Sequence, residues 1–480
     1  MKKLLVLFAA VFLSVSAAGK TVVLYHTSDV HGFFYPQKGV GGYAALSALL
    51  KQEKNPYLLL DSGDFASGTA ETKETKGLAA VELMNALGYD AATVGNHEFD
   101  FGDTAVAPLL KKATFAVLAA NLREKKTDKL PVWARAYQVF DAGGTKVAVI
   151  GLANRHPTQP TTLYYFTKPL DALGAALAQS ERESPAFTVV LVHDSLADYK
   201  SGAQPYVGKI ALKYGGRVQI VLGGHAHKIF QNEFINGVLY AESGAQLKGV
   251  TKITVELDDT TGQVTKAASE FIALEVAQTG SDAQIAALAD SYRNAELEEV
   301  IGTAGADLPR FAVVPGEKDS PLDDWVSDVG RAYAQTDVFI HNTSGTRVAL
   351  EKGPITRRML VALFPFDDEV VKLQVPGRVL KNFIRRGLAP RNKYAYSGLE
   401  ISYALNKKGE VKDLQVLLAG QPVENERRYT VATNSYVAKH SAFAAWQAET
   451  VGEQSVREMI AQAFEKGPVF PPKTGRIIQK

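Results

Sequence analysis

The chain has 480 residues, which at roughly 100 to 200 residues per domain allows two to four domains with sizeable cores. Its 53 basic and 51 acidic residues leave a net charge of +2, so nothing marks it as coating a nucleic-acid polymer or a membrane surface, and the expected partner is a small molecule. With no cysteine, disulfides and thiolate metal sites are excluded, and any metal must be held by His, Asp, Glu, Asn or Gln.

The chain opens on "MKKLLVLFAAVFLSVSAAGK": Lys2 and Lys3, an apolar run from Leu4 to Leu13, then small residues. This layout predicts a signal peptide over residues 1–18, with an apolar run too short to span a bilayer. The mature protein is therefore expected to be exported, periplasmic or secreted, with no membrane span; oligomeric state is not written in the sequence. Strand-like and helix-like stretches then alternate. "TVVLYHTSD" reads as a strand, "GGYAALSALLKQEKN" as a helix, "PYLLLDSGD" as a strand, "KGLAAVELMNALG" as a helix stopped by Gly88, and "YDAATVGNH" as a strand. Further strands follow at "TKVAVIGLAN", "FTVVLVHDS" and "VQIVLGGHAH". The alternation predicts an α/β sheet layered with helices, with polar residues gathered where strands run into loops.

Polar residues do gather there. Asp29 and His31 in "TSDVHG" are two apart at a strand end, and on an extended backbone their side chains leave on the same side. Asp64 in "LLLDSGDFASGT" follows Gly63, which lets the backbone turn tightly. Asn96 in "VGNHEFDFG", His193 in "LVHDS", and His225 with His227 in "GGHAHK" complete the set. Seven oxygen and nitrogen donors at five strand ends suffice for two divalent ions if one carboxylate bridges them, and Asp64 is the natural bridge. Mixed donors of this kind suit Mn, Fe, Zn or Co. His26, His156, His341 and His440 have no such company and read as ordinary residues.

The stretches "DVH", "GD", "GNHEFD", "VHDS" and "GHAH" resemble the five signature blocks of the calcineurin-like metallophosphoesterases. "GNHEFDFG", with the long C-terminal extension, resembles the 5'-nucleotidase branch of that superfamily. The resemblance implies a four-layer α/β/β/α sandwich over residues 20–273, followed by a separate α+β substrate-binding domain. It also implies that Asp29, His31, Asp64 and His227 hold one metal ion, while Asp64, Asn96, His193 and His225 hold the other. Two ions about 3.5 to 4 Å apart share a water and lower its pKa towards roughly 7, giving the expected attacking hydroxide. The same ions neutralise the phosphoryl oxygens. His97, next to a ligand, is placed to stabilise the transferring group or protonate the leaving oxygen; Asp100, three residues on, faces it if a helical turn starts there. The resemblance assigns the pair the same role. Glu98 points away from its neighbours' ligand pair and reads as a structural carboxylate behind it, with no assigned role.

Past Ala273 the texture changes. "SDAQIAALADSYRNAELEEVIG" places Ile285, Leu288, Tyr292 and Leu297 at helical spacing, with Ser281 as a cap and Gly302 as a stop, so a single linker helix is expected within 274–302 and a second domain over 303–480. In that domain the family blocks are altered. "HNTSGTR" keeps Asn342, Gly345 and Arg347 but has Ser344 where a glycine is usual. "FPFDDEV" keeps Phe366, yet Asp367 and Asp368 replace Gly-Asn. "NSYVAKHSAF" puts Tyr436 at the second aromatic position, "SPLDDWVSDV" has Asp323 and Asp324 for Gly-Asn, and Lys318 stands where an arginine is usual. Arg347 is expected to pair with phosphate, Asn342 to bond a base or ribose, and Phe366 with Tyr436 to stack on a base.

The leading expectation is an exported dimetal phosphohydrolase acting on nucleoside 5'-monophosphates, and on other nucleotides or nucleotide sugars. The altered second-domain blocks keep open a 2',3'-cyclic nucleotide phosphodiesterase or a thiosulfohydrolase-like enzyme on the same metals; a non-catalytic ligand-binding protein is the distant third. Turnover is expected to need domain closure, with the Ser281 to Gly302 helix as hinge.

Overall fold

The computed structural model describes residues 20–197, 206–389 and 392–480. The expected signal peptide lies outside the described residues. Among them, no helix is long and apolar enough to cross a membrane. The chain forms two compact units, one holding the residues up to Ala66 with Ala80–Ala289, the other Ser67–Ala79 with Asp290–Lys480.

The first unit is built on two six-stranded sheets. Its strands are β1 (Lys20–Thr27), β2 (Tyr57–Asp61), β3 (Ala91–Thr93), β4 (Ala116–Leu118), β5 (Tyr137–Asp141), β6 (Lys146–Leu152), β7 (Phe187–Val192), β8 (Ile220–Gly223), β9 (Ile229–Ile235), β10 (Val238–Ser243), β11 (Gly249–Leu257) and β12 (Val264–Ala273). One sheet runs β12-β11-β1-β2-β3-β4 and the other β9-β10-β8-β7-β6-β5. β1 to β4 are mutually parallel, as are β6, β7, β8 and β10, so loops carrying polar residues collect at their C-terminal ends.

The period of two explains the layering. Val189 and Leu191 of β7 enter the core between the sheets with Leu24, Leu60, Val149, Leu222 and Ile253. Val190 and Val192 face the opposite way, onto Leu173 and Leu177 of the helix Pro169–Ser180 and Ile210 of the helix Tyr206–Tyr214. The helices Tyr43–Leu50 and Leu78–Leu87, which bury Leu46, Leu83 and Met84 completely, form the fourth layer. The architecture is α/β/β/α, as the resemblance implied.

The second unit is α+β. Its five-stranded sheet runs Tyr394–Ser397, Val338–Asn342, Arg428–Asn434, Glu369–Pro376, Glu449–Ser455. Ile340 packs with Val375, Phe383 and Val431 on one face; its neighbour Phe339 packs with Val326, Ile460 and Phe464 on the other.

Two expectations need correction. The stretch expected as one linker helix is instead short helices Val276–Thr279 and Ala283–Asp290, a 3₁₀ turn Ala295–Glu298 and a strand Val300–Ala304. Gly280 at φ 80 ends the first helix, and Asn294, whose side chain accepts from the Glu296 amide, restarts the chain in a new direction. Asp282, not Ser281, takes the free amide of Gln284, and Gly302 lies within the strand. Second, Ser67–Ala79 groups with the second unit: buried Glu71 pairs with Arg358, and Lys73 pairs with Asp367.

Candidate active site

The loops after β1, β2, β3, β7 and β8 bring the seven expected donors together. Asp29 and His31 lie beyond the last residue of β1, not on extended backbone: their φ angles are 53 and 51, in the left-handed region. The pair named from spacing is brought together by left-handed turns, not by an extended backbone. The turn is pinned to the β2 loop by Asp29 N–H donating to Gly63 O (3.0 Å) and His31 N–H to Asp64 O (2.9 Å). Asp64 itself has φ 61, and His225 and His227 have 80 and 57. Strained backbones at five of the candidate donors fit a constellation held by its surroundings. Gly63, at φ 93, is required there: a Cβ would lie 2.6 Å from the Gly95 nitrogen and 3.1 Å from Nδ1 of His193.

The side chains converge. Nε2 of His31 is 3.2 Å from Nε2 of His227, which is 3.5 Å from an Asp29 oxygen. Nε2 of His193 lies 2.9 Å from Asp64 Oδ2 but off the hydrogen-bond axis, so this buried nitrogen has no hydrogen-bond partner among the described residues. His225 Nδ1 and Asn96 Oδ1 are 3.0 Å apart. Among the described residues, three groups have donor atoms close enough to hold an ion: Asp29, His31 and His227; Asp64, His193 and His225; and His31, Asp64 and His97. An orphaned imidazole nitrogen, paired imidazoles facing each other and a shared Asp64 are the donor chemistry of divalent cations.

Burial works to raise the Asp64 carboxyl, yet the His193, His97 and His31 imidazoles outweigh it and hold Asp64 well below the usual carboxylate range. His193 moves the other way: burial opposes its charge, but Asp64 and Asp29 lift it to about 10. His193 is aimed by its other nitrogen, which donates to Ser62 O at 2.7 Å.

His97 opens the 3₁₀ turn His97–Phe99, and its Nδ1 lies 2.8 Å from Asp100 Oδ2. The other Asp100 oxygen accepts from Thr158 Oγ1, and the Thr158 amide donates to Asn96 O at 3.2 Å, so one residue steadies both.

Two residues organise the site: Glu98, to which the sequence reading assigned no role, and Glu242, which it left out. Glu98, 1% exposed, accepts four backbone amides: Gly95 at 2.7 Å, Asp64 at 3.0 Å, Phe65 at 2.9 Å and Ala66 at 3.1 Å. Its one sequence signal was adjacency to His97. Glu242, at the end of β10, accepts from Ser195 Oγ (2.7 Å), Tyr240 Oη (2.8 Å) and Lys228 N–H (3.2 Å), tying the His193 loop to the His225–His227 loop. A lone carboxylate closing the run "VLYAES" was its signal; burial pushes it up to about 7.

His26 is a satisfied core residue, with Nε2 2.9 Å from Ser62 Oγ and Nδ1 2.7 Å from Ser243 Oγ. His341 is buried 3.6 Å from Asp323, and His440 bonds the Tyr436 carbonyl.

In the second unit, Asn342, Arg347, Phe366 and Tyr436 collect around neighbouring strand ends. The Arg347 guanidinium carbon is 6.0 Å from the Phe366 ring centre. Asn342 is buried, with its amide donating to Ser344 Oγ (3.1 Å) and its oxygen accepting from Asn434 (2.5 Å). Each of its polar atoms thus has one protein partner, which leaves one N–H and one lone pair for a base or ribose. Asn434 caps the short helix Ser435–His440 that carries Tyr436. Asp323 and Asp324 are 1% and 0% exposed. Burial raises them to about 6 and about 9, so they belong to the interior of the domain.

Residues 22–228 match the family described as calcineurin-like phosphoesterase, and residues 300–448 match the 5'-nucleotidase C-terminal domain. Endonuclease YhcR of Bacillus subtilis (strain 168) is 27% identical over 412 residues, 81% of this chain but 33% of that protein, so the chain spans about a third of this relative's length. Snake venom 5'-nucleotidase of Crotalus adamanteus is 26% identical over 97% of this chain and 90% of its own. The crystal structure of a 5'-nucleotidase precursor from Thermus thermophilus has the same fold, with a TM-score of 0.83 at 24% identity, covering 96% of this chain and 99% of that one. With both matched domains in this order and the candidate donors gathered at strand ends, the chain belongs to the 5'-nucleotidase branch of the calcineurin-like metallophosphoesterases.

Proposed function

We propose that the chain is an exported phosphohydrolase that removes phosphate from nucleoside 5'-monophosphates, using two divalent ions. The observation that supports this most is the convergence of Asp29, His31, Asp64, Asn96, His193, His225 and His227 from five loops, with the His97–Asp100 pair beside them. Asp29, His31, Asp64 and His227 would hold one ion and Asp64, Asn96, His193 and His225 the other. When bound, such ions neutralise phosphoryl oxygens and acidify water.

The chain's own residues do the rest. Asp64 Oδ1 accepts the His97 amide at 2.8 Å, so the residue proposed to bridge the ions also fixes where the acid–base histidine starts. Asp100 holds the proton on Nδ1 of His97, leaving Nε2 to meet the phosphoryl group or protonate the leaving oxygen. In the second unit Arg347 would pair with phosphate, Asn342 would bond the base or ribose, and Phe366 and Tyr436 would stack on the base. The layout of residues 1–18 and relatives such as the venom enzyme support export.

The test is phosphate release from AMP by mature protein stripped of metal and resupplied with Mn²⁺, alongside Asp64→Ala. Metal-dependent release that the mutant lacks is the expected result. No release from AMP, with release from 2',3'-cyclic AMP, would move the substrate to cyclic nucleotides; no release from either would sink the nucleotide reading.

A further inference from the structure

The two aspartates that break the second-domain block, Asp367 and Asp368, follow directly on Phe366, and neither is idle. Asp368 accepts from Ser435 Oγ at 3.0 Å and from the Tyr436 amide at 3.1 Å. One carboxylate two residues after the first ring therefore holds the backbone of the second. Asp367 pairs with Arg457 and with Lys73. Arg457 in turn donates to the carbonyls of Phe364 and Phe366, each at 2.9 Å, so the same guanidinium that neutralises Asp367 fixes the main chain bearing the first ring. Tyr436 is 44% exposed and leans on His440, with ring centres 4.6 Å apart, while its backbone is held at both ends by Asp368 and by the Asn434 cap. An exposed ring on an immobilised backbone is the arrangement of a preorganised stacking surface, which loses little entropy when a flat partner arrives.

We propose that Asp368 and Arg457 are positioning residues that set Phe366 and Tyr436 as a preformed clamp for the base of a nucleotide. The proposal rests on the nucleotide reading above. Asp368 touches no substrate in this scheme; it acts through Tyr436. Asn at 368 keeps an oxygen acceptor for the Tyr436 amide, whereas Ala removes it.

The experiment compares steady-state kinetics of the metal-loaded enzyme on AMP and on ribose 5-phosphate, which offers the same phosphoester without a base, for wild type, Asp368→Ala, Asp368→Asn and Arg457→Met. A lost hydrogen bond to a charged group corresponds to about tenfold. Asp368→Ala is therefore expected to raise KM for AMP about tenfold while KM and kcat for ribose 5-phosphate stay within about twofold, and Asp368→Asn to recover most of the loss. Arg457→Met should follow Asp368→Ala. An unchanged KM for AMP in Asp368→Ala, or equal losses on both substrates, overturns the proposal. Wild type that treats AMP and ribose 5-phosphate alike removes the base clamp itself, a failure of the underlying reading that the mutants do not share.

Discussion

Glu98 accepts the backbone amide of Asp64 at 3.0 Å, and with three further amides from the same two loops it forms the knot on which the proposed bridging ligand is mounted. A carboxyl at the centre of four amides, pushed up to about 7 by burial and by the Asp64 charge, both stabilises the left-handed turn at Asp64 and fixes the entry to the His97 turn. Replacing it by Ala strands four buried donors at roughly 1–3 kcal/mol each, less whatever water enters. Glu98→Ala is expected to lose at least about 3 kcal/mol in urea unfolding and to weaken Mn²⁺ binding in calorimetry by tenfold or more. Wild-type metal affinity in a folded Glu98→Ala protein would contradict this.

Gly63 tests the close approach directly. At φ 93, with a Cβ placed 2.6 Å from the Gly95 nitrogen, Ala is both strained and obstructed. Gly63→Ala should cut metal-dependent turnover by more than tenfold, whereas Gly88→Ala, also at positive φ but with nothing within 4 Å, should cost only a modest amount of stability and leave kcat unchanged.

The His97–Asp100 pair makes a prediction that depends on the leaving group. Loss of a general acid typically costs about 10² to 10⁴ in rate. His97→Ala should therefore lower kcat on AMP by that order while metal stoichiometry is retained, and the loss should shrink on p-nitrophenyl phosphate, whose leaving group needs no proton. Equal losses on both substrates would favour phosphoryl-oxygen stabilisation over leaving-group protonation. Asp100→Asn should show a smaller version of the same pattern.

Burial lowers both His26 and His341 to about 3, His341 with help from Arg310. Their ordinary value is 6.5, so the unfolded chain takes up these protons first as pH falls. The stability they contribute is complete above about pH 6.5 and is lost as pH drops towards 3. His341→Leu removes one such group, whose Nε2 has no hydrogen-bond partner among the described residues. The difference in unfolding free energy between wild type and His341→Leu should shift in favour of the mutant by up to about 1.4 kcal/mol per pH unit across that window. A pH-independent difference would show that His341 titrates normally in the folded protein.

The sequence by itself determined which candidate donors the fold would gather. Metal donors are a small, chemically restricted set, and with no cysteine in the chain the clustering of Asp29, His31, Asp64, Asn96, His193, His225 and His227 at the ends of apolar runs was visible without coordinates. The 3.6 and 2.0 periodicities likewise marked the helices and strands of the first unit, because each must bury one face. Tertiary structure decided how the donors are aimed. The left-handed turns at Asp29, His31 and Asp64 are enforced by amides and a carboxylate from other loops, and no local propensity encodes them. The same holds for Glu98 and Glu242, whose roles come from partners up to 47 residues away in the chain. It holds again for the linker, where helical spacing was real but Gly280 and Asn294 broke the run. Ionic and hydrogen-bonding partners are chosen by proximity in space, and that proximity exists only after the sheets have packed.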